Sequence, residues 1–171
     1  MAINKSLTER GGSPDNSVDQ KGFLVAPFCL SIRRKPYKRG KIMPFQVCMG
    51  AMLQCSFGVA PSSLVVLPVN RVQTNQVPDA NIMDNIPMTN IMPFGMCTSL
   101  ANPTVASATA AAWGVLTPMP CVPNTPAPWA PGSPTVLLGN FPALNNSSML
   151  NCIWGGVITI TNPGETTVQI P

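Results

Sequence analysis

Asp84–Cys97, DNIPMTNIMPFGMC, decides how this chain is read. Pro87 and Pro93 remove backbone donors and bar a helix through the segment. Gly95 lets the chain turn sharply just ahead of Cys97. The pattern predicts a thiol presented on a stiff loop, not one buried in a regular core. Three further cysteines stand in similar settings: Cys55 in AMLQCSFG, Cys121 in TPMPCVP and Cys152 in LNCIWGG. Each has a glycine or proline within about three residues, the mark of a turn. The rest of the chain reads as connections between these four stations.

Charge divides the chain. Nine of its ten Lys and Arg residues precede Met43, against three acids; after it stand only Arg71 and the acids Asp79, Asp84 and Glu165. Residues 1–42 therefore read as a basic leader, and residues 43–171 as one nearly chargeless domain. About a quarter of a typical domain is charged. A surface this poor in charge points to one covered largely by a partner; the alternative is a surface dressed in Asn, Ser and Thr. The run RRKPYKRGK at 33–41 suits an anionic surface or nucleic acid, but a solvated tail is the favoured reading and no nucleic-acid partner is expected. A further reading is that the leader is not native coding sequence. Lys38–Lys41 can be encoded by a purine-rich tract resembling a ribosome-binding site, placing the natural start at MPFQV. Gly22–Ile32 has the length of a signal-peptide apolar region, but its basic cluster follows it, so no secretory signal is expected. No apolar run reaches the 18 or so residues of a membrane helix.

From Met43 onward short strands are expected. Phe45–Leu53 is the first, with Gly50 marking a close backbone approach and Cys55-Ser-Phe-Gly a turn. Leu64–Val69 is the second, its Pro68 suited to an edge or an end. Arg71–Asp79 reads as polar and exposed. Asn102–Trp113 is the one expected helix, near 103–113, with Asn102 as N-cap, Pro103 at the first position and Gly114 as the stop. Trp113 and Leu116 are expected to pack. Seven prolines between Thr117 and Pro134 read as rigid turns of a compact β domain in preference to a polyproline ligand. Val136–Leu138, Ile153–Thr161 and Thr166–Ile170 complete a mostly β domain.

The chemistry is narrow. The chain has no histidine, which removes the usual general base, the common nucleophilic triads and every His-dependent metal site. No phosphate-cradling glycine loop is present, and nothing supports a glycosidase pair among Asp79, Asp84 and Glu165. No enzyme is expected. Cys29 lies in the leader, and Cys48, between Val47 and Met49, reads as a small buried hydrophobe. Cys55, Cys97, Cys121 and Cys152 suit a closed tetrahedral zinc site. Their intervals of 42, 24 and 31 residues contain no CxxC, so spacing leaves zinc and disulfides evenly matched, with free buried thiols a third reading.

The segments MGAMLQCSFG, DNIPMTNIMPFGMC, NPTVASATAAAWGVLTPMPC, PAPWAPGSPTVLLGNFPAL and CIWGGVITI, in this order, resemble the PAAR-like spike-tip proteins of contractile injection systems. These machines include type VI secretion systems and extracellular phage-tail-like particles. The resemblance covers residues 43–171 and excludes the leader. It implies a cone-shaped β-rich domain that caps a trimeric spike protein at its broad base and sharpens it for membrane puncture. Effector cargo and a transiently crossed target membrane are the further implied partners. Assembly would take place in the bacterial cytoplasm, followed by export on the machine. The better-known members hold a metal with histidines and a cysteine; this chain has neither histidine nor a literal Pro-Ala-Ala-Arg repeat. Cysteines at the turn motifs of the PAAR-like branch match Cys55, Cys97, Cys121 and Cys152, which implies one structural zinc held by four thiolates. A tapering apex has little core, so a metal crosslink would fix it where packing does not. The alternative is a disulfide-bonded surface or adhesin domain without metal.

Overall fold

Glycines and prolines cut the chain from Met43 into ten short strands and one helix in a computed structural model that describes residues 43–171. The strands are β1 (Met52–Cys55), β2 (Ser62–Ser63), β3 (Gln73–Thr74), β4 (Val77–Pro78), β5 (Met96–Cys97), β6 (Met119–Pro120), β7 (Leu137–Leu138), β8 (Phe141–Pro142), β9 (Met149–Asn151) and β10 (Val157–Asn162). The largest sheet runs in the order β2-β1-β10-β9, antiparallel throughout, and the other strands form the pairs β3-β4, β5-β6 and β7-β8. The expected mostly β class therefore holds, with one short helix among the described residues. The leader, its basic run and Cys29 lie outside them.

Alternation in β10 works as expected: Ile158 is buried on the inner face, while Val157 and Thr161 are exposed. Ile158 joins Leu53, Leu150, Phe94, Trp129 and Val105 in the main core. Trp129 is held inside the proline-rich stretch by its indole N–H, which donates to the Asp84 carbonyl at 3.0 Å. Rigid turns within a compact body are thus what that stretch provides.

Several boundaries differ from expectation. The strand expected at Phe45–Leu53 is broken at Met49-Gly50, where the chain turns, and Phe45, Gln46 and Cys48 make only isolated bridges. Gly50 has φ +86 and open space where a Cβ would stand, so it serves the turn and not a close approach. The second strand falls on Ser62–Ser63, and Pro68 opens a 3₁₀ turn, Pro68–Asn70, as its fixed φ allows. The expected strand Thr166–Ile170 shrinks to a Phe45–Gln169 bridge. The Glu165 carboxylate takes the backbone N–H groups of Thr166 and Thr167 that a ladder would use. Within Arg71–Asp79 a hairpin forms through Asn75 and Gln76, both left-handed, and buries Asp79.

The helix α1 (Pro103–Ala111) begins as expected, with the Asn102 side chain accepting the Thr104 N–H at 3.1 Å. Its end differs. Gly114 N–H bonds to the Thr109 carbonyl and Trp113 N–H to the Ala110 carbonyl, a complete Schellman closure in which Trp113, at φ +56, holds the left-handed position. Gly114 stands one residue later. Trp113 is 98% exposed and Leu116 is exposed too, so neither packs as expected. The helix buries Val105 alone.

Candidate metal centre

All four turn cysteines sit where strands stop. Cys55 ends β1, Cys97 ends β5, Cys121 directly follows β6 and Cys152 directly follows β9. Backbone pairing then gathers the four ends. Cys55 lies opposite Ile158 of β10, and the β9-β10 connection carries Cys152. Gly58, closing the turn after Cys55, bridges to Cys97, while β5 pairs with β6 ahead of Cys121. Cys121 N–H donates to the Gly95 carbonyl at 2.8 Å. Four segments separated along the chain thus meet at one point.

The thiols of Cys55, Cys97, Cys121 and Cys152 line a single cavity of about 10 Å³, walled otherwise by groups such as Phe57, Phe94, Trp154 and Ile158. That volume suits one small guest, on the scale of a single water, and no organic ligand. All four residues are buried within the main core. Cys97 is only 4% exposed, which corrects the expectation of a thiol presented outside the core. The reason is that the segment carries Phe94 and Ile91 into the same main core as Cys97, with Phe94 lining the cavity that the thiol faces.

Two of the turns are built alike, and this pattern was missed in the sequence. Cys55-Ser-Phe-Gly58 and Cys152-Ile-Trp-Gly155 each read Cys, any residue, aromatic, Gly. In each the glycine N–H donates to the cysteine carbonyl, at 3.2 and 3.0 Å. Gly156 follows the second turn, and a Cβ there would lie 2.9 Å from Cys55 Sγ. Only glycine lets that sulfur approach the Cys152 turn.

Electrostatics favour the neutral thiol at Cys55 and at Cys121. Burial raises the pKa of Cys55 most, with smaller contributions from Cys152 and Cys97, while backbone hydrogen bonds from Phe57 and Gly58 pull it down. Burial likewise raises Cys121, against a backbone hydrogen bond from Phe94, and Cys97, Cys55 and Cys152 raise it further. Mutual repulsion of this kind is what a central cation reverses. Among the described residues no three Cys, Asp or Glu side chains stand preset as a chelating group. The thiols share one cavity without being drawn together, so side-chain rotation must accompany any metal uptake. The donor set fits zinc: four sulfurs, an apolar lining and amide donors beside Cys55 and Cys121. All five described cysteines are free thiols.

Cys48 stands apart. It is buried, as expected, but it is not merely a small hydrophobe: its thiol donates to Asp79 Oδ1 at 3.0 Å, and Thr74 donates to Oδ2 at 3.0 Å. Burial, then the Asp79 hydrogen bond and charge, push its pKa far up. Asp84 is raised by burial, with the Asn81 N–H opposing. Glu165 is held down at about 2, first by hydrogen bonding from Thr167. Each carboxylate serves its own local partners.

Such a body, short antiparallel strands closed around four strand-end thiols, defines a small cysteine-centred β domain. The family model described as Domain of unknown function (DUF4280) matches residues 47–165, and the chain belongs to that family. No curated protein and no solved structure is matched.

Proposed function

We propose that this protein is the structural tip of a contractile injection machine, a PAAR-like cap on a trimeric spike, with one zinc fixing its point. The observation that carries the reading is the meeting of Cys55, Cys97, Cys121 and Cys152, from four distant segments, around one ion-sized cavity. The ordered resemblance of five segments to PAAR-like proteins supplies the machine. The role is mechanical. Zinc bound there would supply four bonds between segments that short strands alone hold weakly, adding its binding energy to folding. The residues do the rest: amides near Cys55 and Cys121 stabilise thiolates, and Gly156 admits the Cys55 sulfur. The spike protein would take the broad base of the cone, cargo would ride with the tip, and the target membrane would be crossed transiently. Assembly in bacterial cytosol keeps thiols reduced and favours metal over disulfide; the free thiols count against the disulfide-bonded adhesin alternative.

The test has two readouts on the full chain. Metal analysis of protein purified from cytosol under reducing conditions is expected to give about one zinc per chain, the stoichiometry of a closed four-thiolate site. Co-expression with a neighbouring spike subunit is expected to give a complex of one tip per trimer. Metal-free protein would overturn the zinc centre, and thiols that pair as disulfides when the chain is purified without reductant would favour the adhesin domain.

A further inference from the structure

A buried metal site needs a way in, and the thiol cavity offers few. Of its lining residues, the four cysteines, Phe94, Pro123, Gly156 and Ile158 are all buried. Among the described residues only Phe57, 37% exposed, and the half-buried Trp154 carry the lining to the surface. Each is the aromatic residue of one of the twin turns, two places after a cysteine. Each also lines a groove outside: Phe57 one with Leu100 and Leu116, Trp154 one with Met119 and Val122. The two rings are therefore the walls between the sulfurs and solvent.

The walls are held differently. The Phe57 ring rests on the Gly155-Gly156 backbone, within 4.0 Å of where a Cβ would stand at either residue. Trp154 has a pinned backbone and a lightly held ring. Its carbonyl accepts the Ser99 hydroxyl, and the neighbouring Ile153 N–H donates to the Asn124 carbonyl at 3.0 Å. The indole N–H makes one hydrogen bond, to the Val122 carbonyl at 3.1 Å, in an exposed position. That bond ties the Cys152 turn to the residue after Cys121. Water can replace an exposed bond at little net cost, and a side chain on a fixed backbone can then change rotamer. The groove beside the ring, of about 340 Å³, is space for it to turn into.

We propose that Trp154 is the gate of the thiol cavity, its ring swinging aside when the Val122 hydrogen bond opens and so admitting a divalent cation. The cation rests on the zinc reading; the route to the four thiols does not.

The test is labelling of the full chain as purified, freed of reductant, with a small uncharged methanethiosulfonate, each cysteine being followed by mass spectrometry. Opening a gate exposes little surface. Cys55, Cys97, Cys121 and Cys152 are therefore expected to label at a rate nearly independent of urea below the unfolding transition. Cys48, outside the cavity, is expected to show a steep urea dependence. Trp154→Ala is expected to speed the four by about tenfold relative to Cys48, equal to about 1.4 kcal/mol off the opening barrier. Trp154→Phe, which keeps a ring but no N–H, is expected to fall between; if the Ala variant does not fold, this variant and the wild-type urea profile decide. The same urea dependence at Cys48 and at the four thiols overturns the proposal, because access then requires unfolding. So does a larger acceleration in Phe57→Leu, which would place the route at the other turn. Zinc transfer from the loaded chain to a chelator is expected to quicken in Trp154→Ala by a like factor, with stoichiometry unchanged. A chain that carries no zinc would refute the proposed centre, while the labelling still decides the route.

Discussion

Two kinds of buried cysteine stand within one small β body. Cys48 shares its proton with a carboxylate: Asp79 accepts it, Thr74 braces the other oxygen, and the nearby negative charge makes ionisation harder. Cys55, Cys97, Cys121 and Cys152 have no carboxylate among the residues lining their cavity; the polar help at Cys55 and Cys121 comes from backbone hydrogen bonds, which favour thiolate. Burial thus raises the thiol pKa in both places, reinforced by Asp79 at Cys48 and opposed by backbone donors at Cys55 and Cys121. The contrast teaches that burial alone does not define a metal ligand. What distinguishes the four is a shared cavity with no carboxylate in its lining.

The sharpest way to break the contrast is to remove one member of the group of four. Cys97→Ser is expected to abolish stoichiometric zinc and, like a strong chelator on the wild type, lower Tm by more than about 10 °C, since structural zinc contributes on the order of 10 kcal/mol in small domains. Metal analysis and thermal melts check both arms; full zinc occupancy in the variant would refute the assignment of Cys97. A gentler intrusion is Gly156→Ala. The new methyl would sit 2.9 Å from Cys55 Sγ, so the sulfur or the turn has to shift. The expected cost is about 1–3 kcal/mol of overpacking, with weaker zinc affinity in a competition titration. Unchanged affinity and Tm would show that the sulfur has room to retreat.

The other side of the contrast is tested by Cys48→Ala. Zinc content is expected to stay at its wild-type value, while Asp79 Oδ1 loses its donor at a cost of about 1–3 kcal/mol. The sign of the pH effect follows from the raised pKa of Cys48. Its contribution is complete below the unfolded thiol pKa of about 8.5 and is lost as pH rises beyond it, because the unfolded chain releases a proton that the folded one retains. Denaturation between neutral and strongly alkaline pH should therefore show a steeper loss in wild type than in Cys48→Ala. Equal slopes, or zinc lost from the variant, would erase the distinction between the two kinds of cysteine.

Much of this was legible in the sequence wherever local chemistry decides. Asn102-Pro103 fixes a helix start by capping and a preset φ; β-branched alternation fixes the faces of β10; the turn residues mark the four cysteine stations. The losses have physical causes too. Phe45–Leu53 looks like a strand until the chain turns at Gly50, and a glycine there reads equally as a turn or a close contact. The burial of Asp79 depends on Cys48, 31 residues away, a distance no local pattern spans. The paired turns CSFG and CIWG were visible and went unused, because metal spacing was sought between cysteines and not between cysteine and glycine. Trp113 was misread because an aromatic residue at a helix end normally packs; nothing in the local sequence shows that its side chain has no core to enter.

The smallest expected effect is also the one that separates exposure from packing. Trp113→Gly removes a strained left-handed residue, a conformation that costs about 1–2 kcal/mol in any side chain with a Cβ. Against that, glycine adds unfolded-state entropy of about 0.5–1 kcal/mol. No burial term enters, because the ring is almost wholly exposed. The balance is a gain of up to about 1 kcal/mol, a rise in Tm of a few degrees at most, measured on the zinc-loaded protein. The Schellman closure should survive, since its two bonds come from backbone groups of residues 113 and 114. A fall of several degrees would mean that the indole rests on something in the folded chain. The end of α1 would then rest on an outlying core of its own, in place of the free ring that its exposure describes.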